Sequence, residues 1–206
     1  MRKQFVQKMP MVRQRVGVQL WALAFDGSGD YITFNAPMLP ASSDFTLKFY
    51  AKLASTMDLS KHREFLRQLG ASGVNGLYFY AATSLGSANG HMRIYFDNTE
   101  LLIGSDIRDD TWHLIELERS GNTFTLYLDG AQDGQGSTSQ SIGQGPAIIC
   151  ADNRTIIGYL DDWEVKDGSN NITGSWPMDE GRGGAVHDNT GSNCGIITGA
   201  TWVRKT

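Results

Sequence analysis

The segment WHLIELERSGNTFTLYLDG, residues 112–130, decides the fold. Between WHLIELER (112–119) and TFTLYLD (123–129), where apolar and polar residues alternate, lies Ser120-Gly121-Asn122, a short glycine-bearing link that closes a hairpin. A period of two sends successive side chains to opposite faces of a pleated strand. Outward from the hairpin, FTLKFYAKL (45–53) sets Phe45, Leu47, Phe49, Ala51 and Leu53 on one side and Thr46, Lys48, Tyr50 and Lys52 on the other, as a half-buried strand requires. GLYFYA (76–81) and MRIYF (92–96) repeat the pattern between Gly, Asn and Ser punctuation. DLSKHREFLRQL (58–69) alone has helical character, but its apolar residues are too sparse to form a face, so REFLRQL is predicted as a strand. Strands recurring roughly every ten residues predict an all-β, antiparallel two-sheet sandwich or jelly roll.

A length of 206 residues suits one domain with one core. It divides into a basic N-terminal arm, 1–20, and a sandwich, 21–206. A hydrophobic fraction of 40% with 24 glycines and 5 prolines suits a turn-rich globular chain, and no membrane span is expected. The formal charge of -4 argues against a nucleic-acid partner. Yet the first fifteen residues hold Arg2, Lys3, Lys8, Arg13 and Arg15 and no acid. A secretory signal with VGVQLWALAF (16–25) as its core does not fit: Gln19 interrupts it, and cleavage after ALA would leave Phe25 as a terminus inside a strand. The five basic residues are instead candidate assembly contacts, held against an acidic neighbour or a sister subunit. Cys150 and Cys194 lack partners at zinc-ligand spacing and are expected to be free thiols.

Taken in order, five stretches resemble the concanavalin A-like lectin/glucanase superfamily, specifically its laminin-G-like modules. LAFDGSGDYITF (23–34) and FTLKFYAKL look like its first two core strands, and DDTWHLIELERSGNTFTLYLDG (109–130) like its central hairpin. IIGYLDDWEVKDG (156–168) and WPMDEGRGGAVHDNTGSNCGIITGATWV (176–203) resemble its last two blocks. In many relatives the tryptophan-glutamate-glycine block precedes the FDG strand, whereas here it closes the chain. The resemblance therefore implies a concanavalin A-like jelly roll whose terminal strands lie side by side.

Within 174–203, Trp176 and Met178 share a parity and are expected in the core, and the acidic residues to tie loops by accepting backbone N–H bonds. The sharper alternative is calcium, which takes six to eight oxygens. Asp188, Asn189 and Asn193 supply such oxygens, family members bind calcium at the rim, and Asp161 is the natural addition, with Asp26 and Asp30 as lesser candidates. Asp161 shares a parity with Trp163 and Val165, so without a bulge its carboxylate points inward. Calcium is the one cofactor in prospect.

Catalysis is not expected. The glucanase branch sets Glu, Asp and Glu at alternating positions of one strand; YLDDWEV offers Asp162 and Glu164 but Leu160 where the leading glutamate belongs. Glu116 and Glu118 suit a solvated sheet face, and His113 matches the family's structural histidine beside tryptophan. Carbohydrate is the superfamily's usual partner, and Tyr50, Tyr78, Tyr80, Tyr95 and Tyr127 fall on the outward parity of their strands, as a sugar platform or a half-wet surface would have them. By analogy of setting, similar modules occur in tailed-bacteriophage capsid decorations and tail fibres. The expected role is therefore a non-catalytic virion protein attached through its arm, homo-oligomeric, assembled in the host cytoplasm and partnered by other virion proteins. An extracellular or cell-surface lectin is the alternative, and a glycosidase fragment a weaker third.

Overall fold

The computed structural model describes residues 21–70, 73–82 and 90–205. The basic arm, with Arg2, Lys3, Lys8, Arg13 and Arg15, lies outside them. Among the described residues the regular structure is all β apart from one 3-10 turn, Asp152–Arg154. The strands are β1 Trp21–Asp26, β2 Tyr31–Phe34, β3 Phe45–Leu53, β4 Arg63–Gln68, β5 Leu77–Ala82, β6 Arg93–Phe96, β7 Thr99–Ile103 and β8 His113–Ser120. They continue as β9 Thr123–Leu128, β10 Ala131–Ser137, β11 Ala147–Ile149, β12 Ile157–Asp167, β13 Ile172–Trp176, β14 Ala185–Val186, β15 Gly195–Thr198 and β16 Thr201–Arg204. The predicted strand REFLRQL is present as REFLRQ, ending at Gln68.

Two antiparallel eight-stranded sheets stack face to face. One runs β10-β9-β8-β3-β12-β1-β16 with β13 also on β12, and the other β14-β15-β2-β11-β4-β5-β6-β7. The predicted adjacency of the ends holds in both: β16 pairs with β1, and β15 with β2. The core lies between the sheets, and β3 alternates buried and half-buried along its whole length. At its centre Phe49 stacks on Trp163 at 4.0 Å and meets Phe65 and Phe79 edge-on, pairs that each contribute about 0.5–1.5 kcal/mol beyond the area they bury. Trp176 and Met178 are buried, as their parity predicts. Along one side the layers close directly, because Gly134 and Gly136 of β10 approach the carbonyls of Ile103 and Leu101, where any Cβ would collide.

Asp161 departs from its expected orientation for a specific reason. The ladder between β12 and β3 slips between Asp161 and Glu164, and Asp162 takes a left-handed φ of 50°. An inserted bulge residue reverses the parity on its two sides, so Trp163 enters the core while Asp161, opposite Tyr50, joins the outer row. β12 also changes neighbour here, pairing with β1 through Ile157–Leu160 and with β13 beyond the bulge.

Candidate functional site

The outer face of the β3/β12 sheet carries a groove made by register. Leu23, Leu160 and Leu53 point inward, so the alternate residues Ala24, Tyr159 and Lys52 point outward in one row across β1, β12 and β3. Alanines at 22 and 24 leave the β1 side low, while Tyr159 and Trp112 stand above it. Two half-open cavities result, of about 300 Å³ and 170 Å³, sharing Lys52 and Tyr159. The larger is bordered by Ala24, Ala54 and Asp110, the smaller by Ala22, Trp112, Val203 and Lys205. At Gly158, in the floor of the larger, a side chain would strike the Lys52 carbonyl.

Trp112 and Tyr159 have ring centroids 6.2 Å apart, tilted by 43°. The Lys52 Nζ lies 6.0 Å from the Tyr159 centroid, and the Lys205 Nζ the same distance from Trp112. His113 fixes the end of β8 beside Trp112: its Nδ1 meets Asp129 at 2.8 Å and its Nε2 meets Asp109 at 3.2 Å. Burial works to lower this imidazole's pKa, but the two carboxylates outweigh it and hold the pKa above its ordinary value. His113 is thus structural, as its place beside the tryptophan suggests. Lys205 pairs with Asp161, whose Oδ1 is buried without a hydrogen-bond partner. Burial pushes Lys205 down to about 8, while the adjacent Asp161 carboxylate favours keeping its proton.

The five outward tyrosines do not form one platform. Tyr50 and Tyr127 share the groove's sheet, Tyr50 in the row of Asp161 and Leu114, while Tyr127 donates to Glu118 at 3.3 Å. Tyr78, Tyr80 and Tyr95 lie on the other sheet, on the far side of the molecule. There Tyr78 stacks on Tyr80 at 6.0 Å, and Tyr80 meets Tyr95 edge-on at 5.5 Å. Internal partners occupy this second cluster: Arg154 donates to the Tyr80 hydroxyl, Tyr95 donates to Glu100, and the fully buried Glu64 is engaged by Arg154. Burial raises the Glu64 pKa against the opposing pull of Arg67 and Arg154. The outward tyrosines are legible from strand parity; the groove, set by long-range register between β1 and β12, is not.

Of the calcium candidates, Asp188, Asn193, Asp161, Asp26 and Asp30 have side chains engaged within the protein. The Asp188 carboxylate accepts hydrogen bonds from the Ser175, Thr190, Ser192 and Asn193 N–H groups and from the Thr190 hydroxyl. Asn193 spends its amide on the Ala36 N–H and C=O, and the Asn189 N–H donates to Ser175 O. Asp161 faces Lys205 instead of this loop. In the first turn Asp30 accepts from the Asp26 N–H, and Asp26 from the Ser28 N–H. Among the described residues no group of three or more His, Cys, Asp or Glu is disposed to hold a metal ion. With its five donors, the Asp188 carboxylate ties this loop in the manner of an Asx turn. Cys150 is buried and Cys194 exposed, both as free thiols.

Two stacked antiparallel sheets with a groove on one outer face are the architecture of the concanavalin A-like lectins and glucanases. The chain belongs to that superfamily, its residues 26–169 matching the Laminin G 3 family, described as concanavalin A-like lectin/glucanases superfamily. Among solved structures, a Bacteroides ovatus protein proposed to bind carbohydrate aligns with a TM-score of 0.66 at 14% identity, over 91% of this chain and 60% of that one. Domain 4 of an extracellular arabinanase from Geobacillus stearothermophilus, solved with arabinotriose, aligns at 0.54 and 14% identity, over 71% of this chain and 70% of that one. The mouse laminin alpha1 LG4-5 pair aligns at 0.52 and 14% identity, over 77% of this chain and 43% of that one. This chain therefore spans less than two thirds of the Bacteroides and laminin chains. No curated protein sequence matches it. At such identities the structural likeness establishes the fold.

Proposed function

We propose that the protein is a non-catalytic carbohydrate-binding module that takes a sugar ring in the groove bordered by the adjoining rings of Trp112 and Tyr159. The observation that carries this is the pair of contiguous cavities sharing Tyr159, with low alanines beneath, aromatic walls above and amines at the rim. Such a site combines an apolar face for a ring with a few polar groups for hydroxyls. Support comes from the Bacteroides protein proposed to bind carbohydrate and from the arabinanase domain solved with arabinotriose. The non-catalytic part rests on Leu160, which holds the place of the leading glutamate and is fully buried in the core. Tyr159→Ala and Trp112→Ala are expected to weaken binding of the best glycan on an array by about 2 kcal/mol, roughly thirtyfold, measured by calorimetry. Unchanged affinity in both variants refutes the groove; reducing ends released from the bound glycan refute the absence of catalysis.

A second reading is favoured by charge: thirteen of the eighteen basic residues and all twenty-two acidic ones lie in 21–206, leaving the arm purely basic. On this reading the module is a virion accessory protein, a capsid decoration or tail component, tethered through residues 1–20 to an acidic neighbour or a sister subunit. Deleting those residues is then expected to abolish particle incorporation and leave glycan binding intact. Incorporation without the arm excludes it.

A further inference from the structure

We propose that the sugar taken by the groove is a uronic acid residue, whose ring carboxylate is received by Lys52 while its ring rests against Tyr159. The inference rests on the carbohydrate reading of the groove and adds the class of ligand. Lysines elsewhere on this sheet face are balanced by acids. Lys166 pairs with Glu164 at 3.0 Å, and Lys48 sits in register between Glu116 and Glu164. Lys52 is different: among the described residues no carboxylate lies within ion-pairing distance of its amine, and its outward cross-strand neighbour on β12 is Tyr159.

The nearby acids are already committed. Asp110 borders the same cavity, and hydrogen bonds from the Ser55 hydroxyl and N–H, with the charge of Lys52, hold its pKa below the ordinary carboxylate value, but it is not within ion-pairing distance of Lys52. Asp161 is engaged by Lys205. An amine with no ion-pair partner at an aromatic groove is open to a negative ligand. Lys52 presents one compact charge, which matches one carboxylate per sugar better than a densely sulfated chain, whose recognition draws on clustered basic groups.

The test screens the full chain on an array of neutral, uronate-containing and sulfated glycans, then titrates the best binder against Tyr159→Ala, Lys52→Gln and Lys52→Arg, each checked for an unchanged melt. The expected result is that the binders carry a carboxylate and that methyl esterification of it removes binding. Lys52→Gln should weaken binding about tenfold while Lys52→Arg retains most of it. A best binder that is neutral, or sulfated without a carboxylate, or indifferent to Lys52→Gln overturns the uronate assignment but leaves the groove standing if Tyr159→Ala abolishes binding. No binder at all, or one indifferent to Tyr159→Ala, overturns the carbohydrate reading and this inference with it.

Discussion

Gln68→Leu is expected to destabilise the protein by about 3 kcal/mol, as two buried backbone N–H groups lose their partner at about 1–3 kcal/mol each, while the Leu39 and Gly143 carbonyls keep only Gln144. Gln68 ends β4 and is fully buried. Its Oε1 accepts from the Met38 and Leu39 N–H groups at 2.7 and 2.9 Å, and its Nε2 donates to the Leu39 and Gly143 carbonyls at 2.8 and 2.9 Å. One amide thus completes the hydrogen bonding of two loops that cross the end of the sandwich. Leucine fills much the same space and supplies none of these bonds. Urea unfolding of the two proteins measures the difference, and a loss below about 1 kcal/mol would show that water replaces the amide at little cost.

Asp188→Ala, the second large effect, should cost about 3 kcal/mol, because hydrogen bonds to a charged acceptor contribute about 1.5–3 kcal/mol and several donors are orphaned together. Burial works to raise this carboxyl's pKa, but the hydrogen bonds from Ser175, Thr190 and Asn193 outweigh it and hold the pKa below its ordinary value of 3.8. With the folded value depressed, the contribution is fully present above the unfolded pKa and is lost as pH falls through the folded one. Wild type should therefore lose stability relative to Asp188→Ala only at acid pH, and the two curves should converge there. Melts of both proteins with millimolar calcium and with chelator complete the test. A rise in wild-type melting temperature with calcium that vanishes in Asp188→Ala would replace the loop tie with a cation site.

How far the sequence reaches is visible in single residues. The alternation of Phe45 to Leu53 and the glycine link at 120–122 were enough for two antiparallel sheets, because period and turn chemistry are local properties. The outward tyrosines were legible for the same reason, but their division between two sheets was not, since parity does not say which sheet a strand joins. Parity puts Asp161 on the inner face only where no bulge intervenes, and one inserted residue, Asp162, shifts it to the outer row. Bulges of this kind leave little trace in composition. The tie made by Asp188 was readable as an Asx-type loop. The groove required Ala22 and Ala24 to be laid beside Tyr159, residues separated by most of the chain, and only the ladder between β1 and β12 does that. Gln68 gave no signal, because its value lies in loops that meet it from elsewhere.

The pairing of β1 with β16 also sets how the module responds to tension. Trp21, which opens the first strand, lies opposite Arg204, which closes the last. Ladder bonds run across the strands, so a pull applied at these two ends bears on a single rung at a time and unzips the pair instead of shearing all rungs at once. A module anchored at one end and loaded at the other would hold firmly against flow on its body but peel open under a modest force drawn through its own chain.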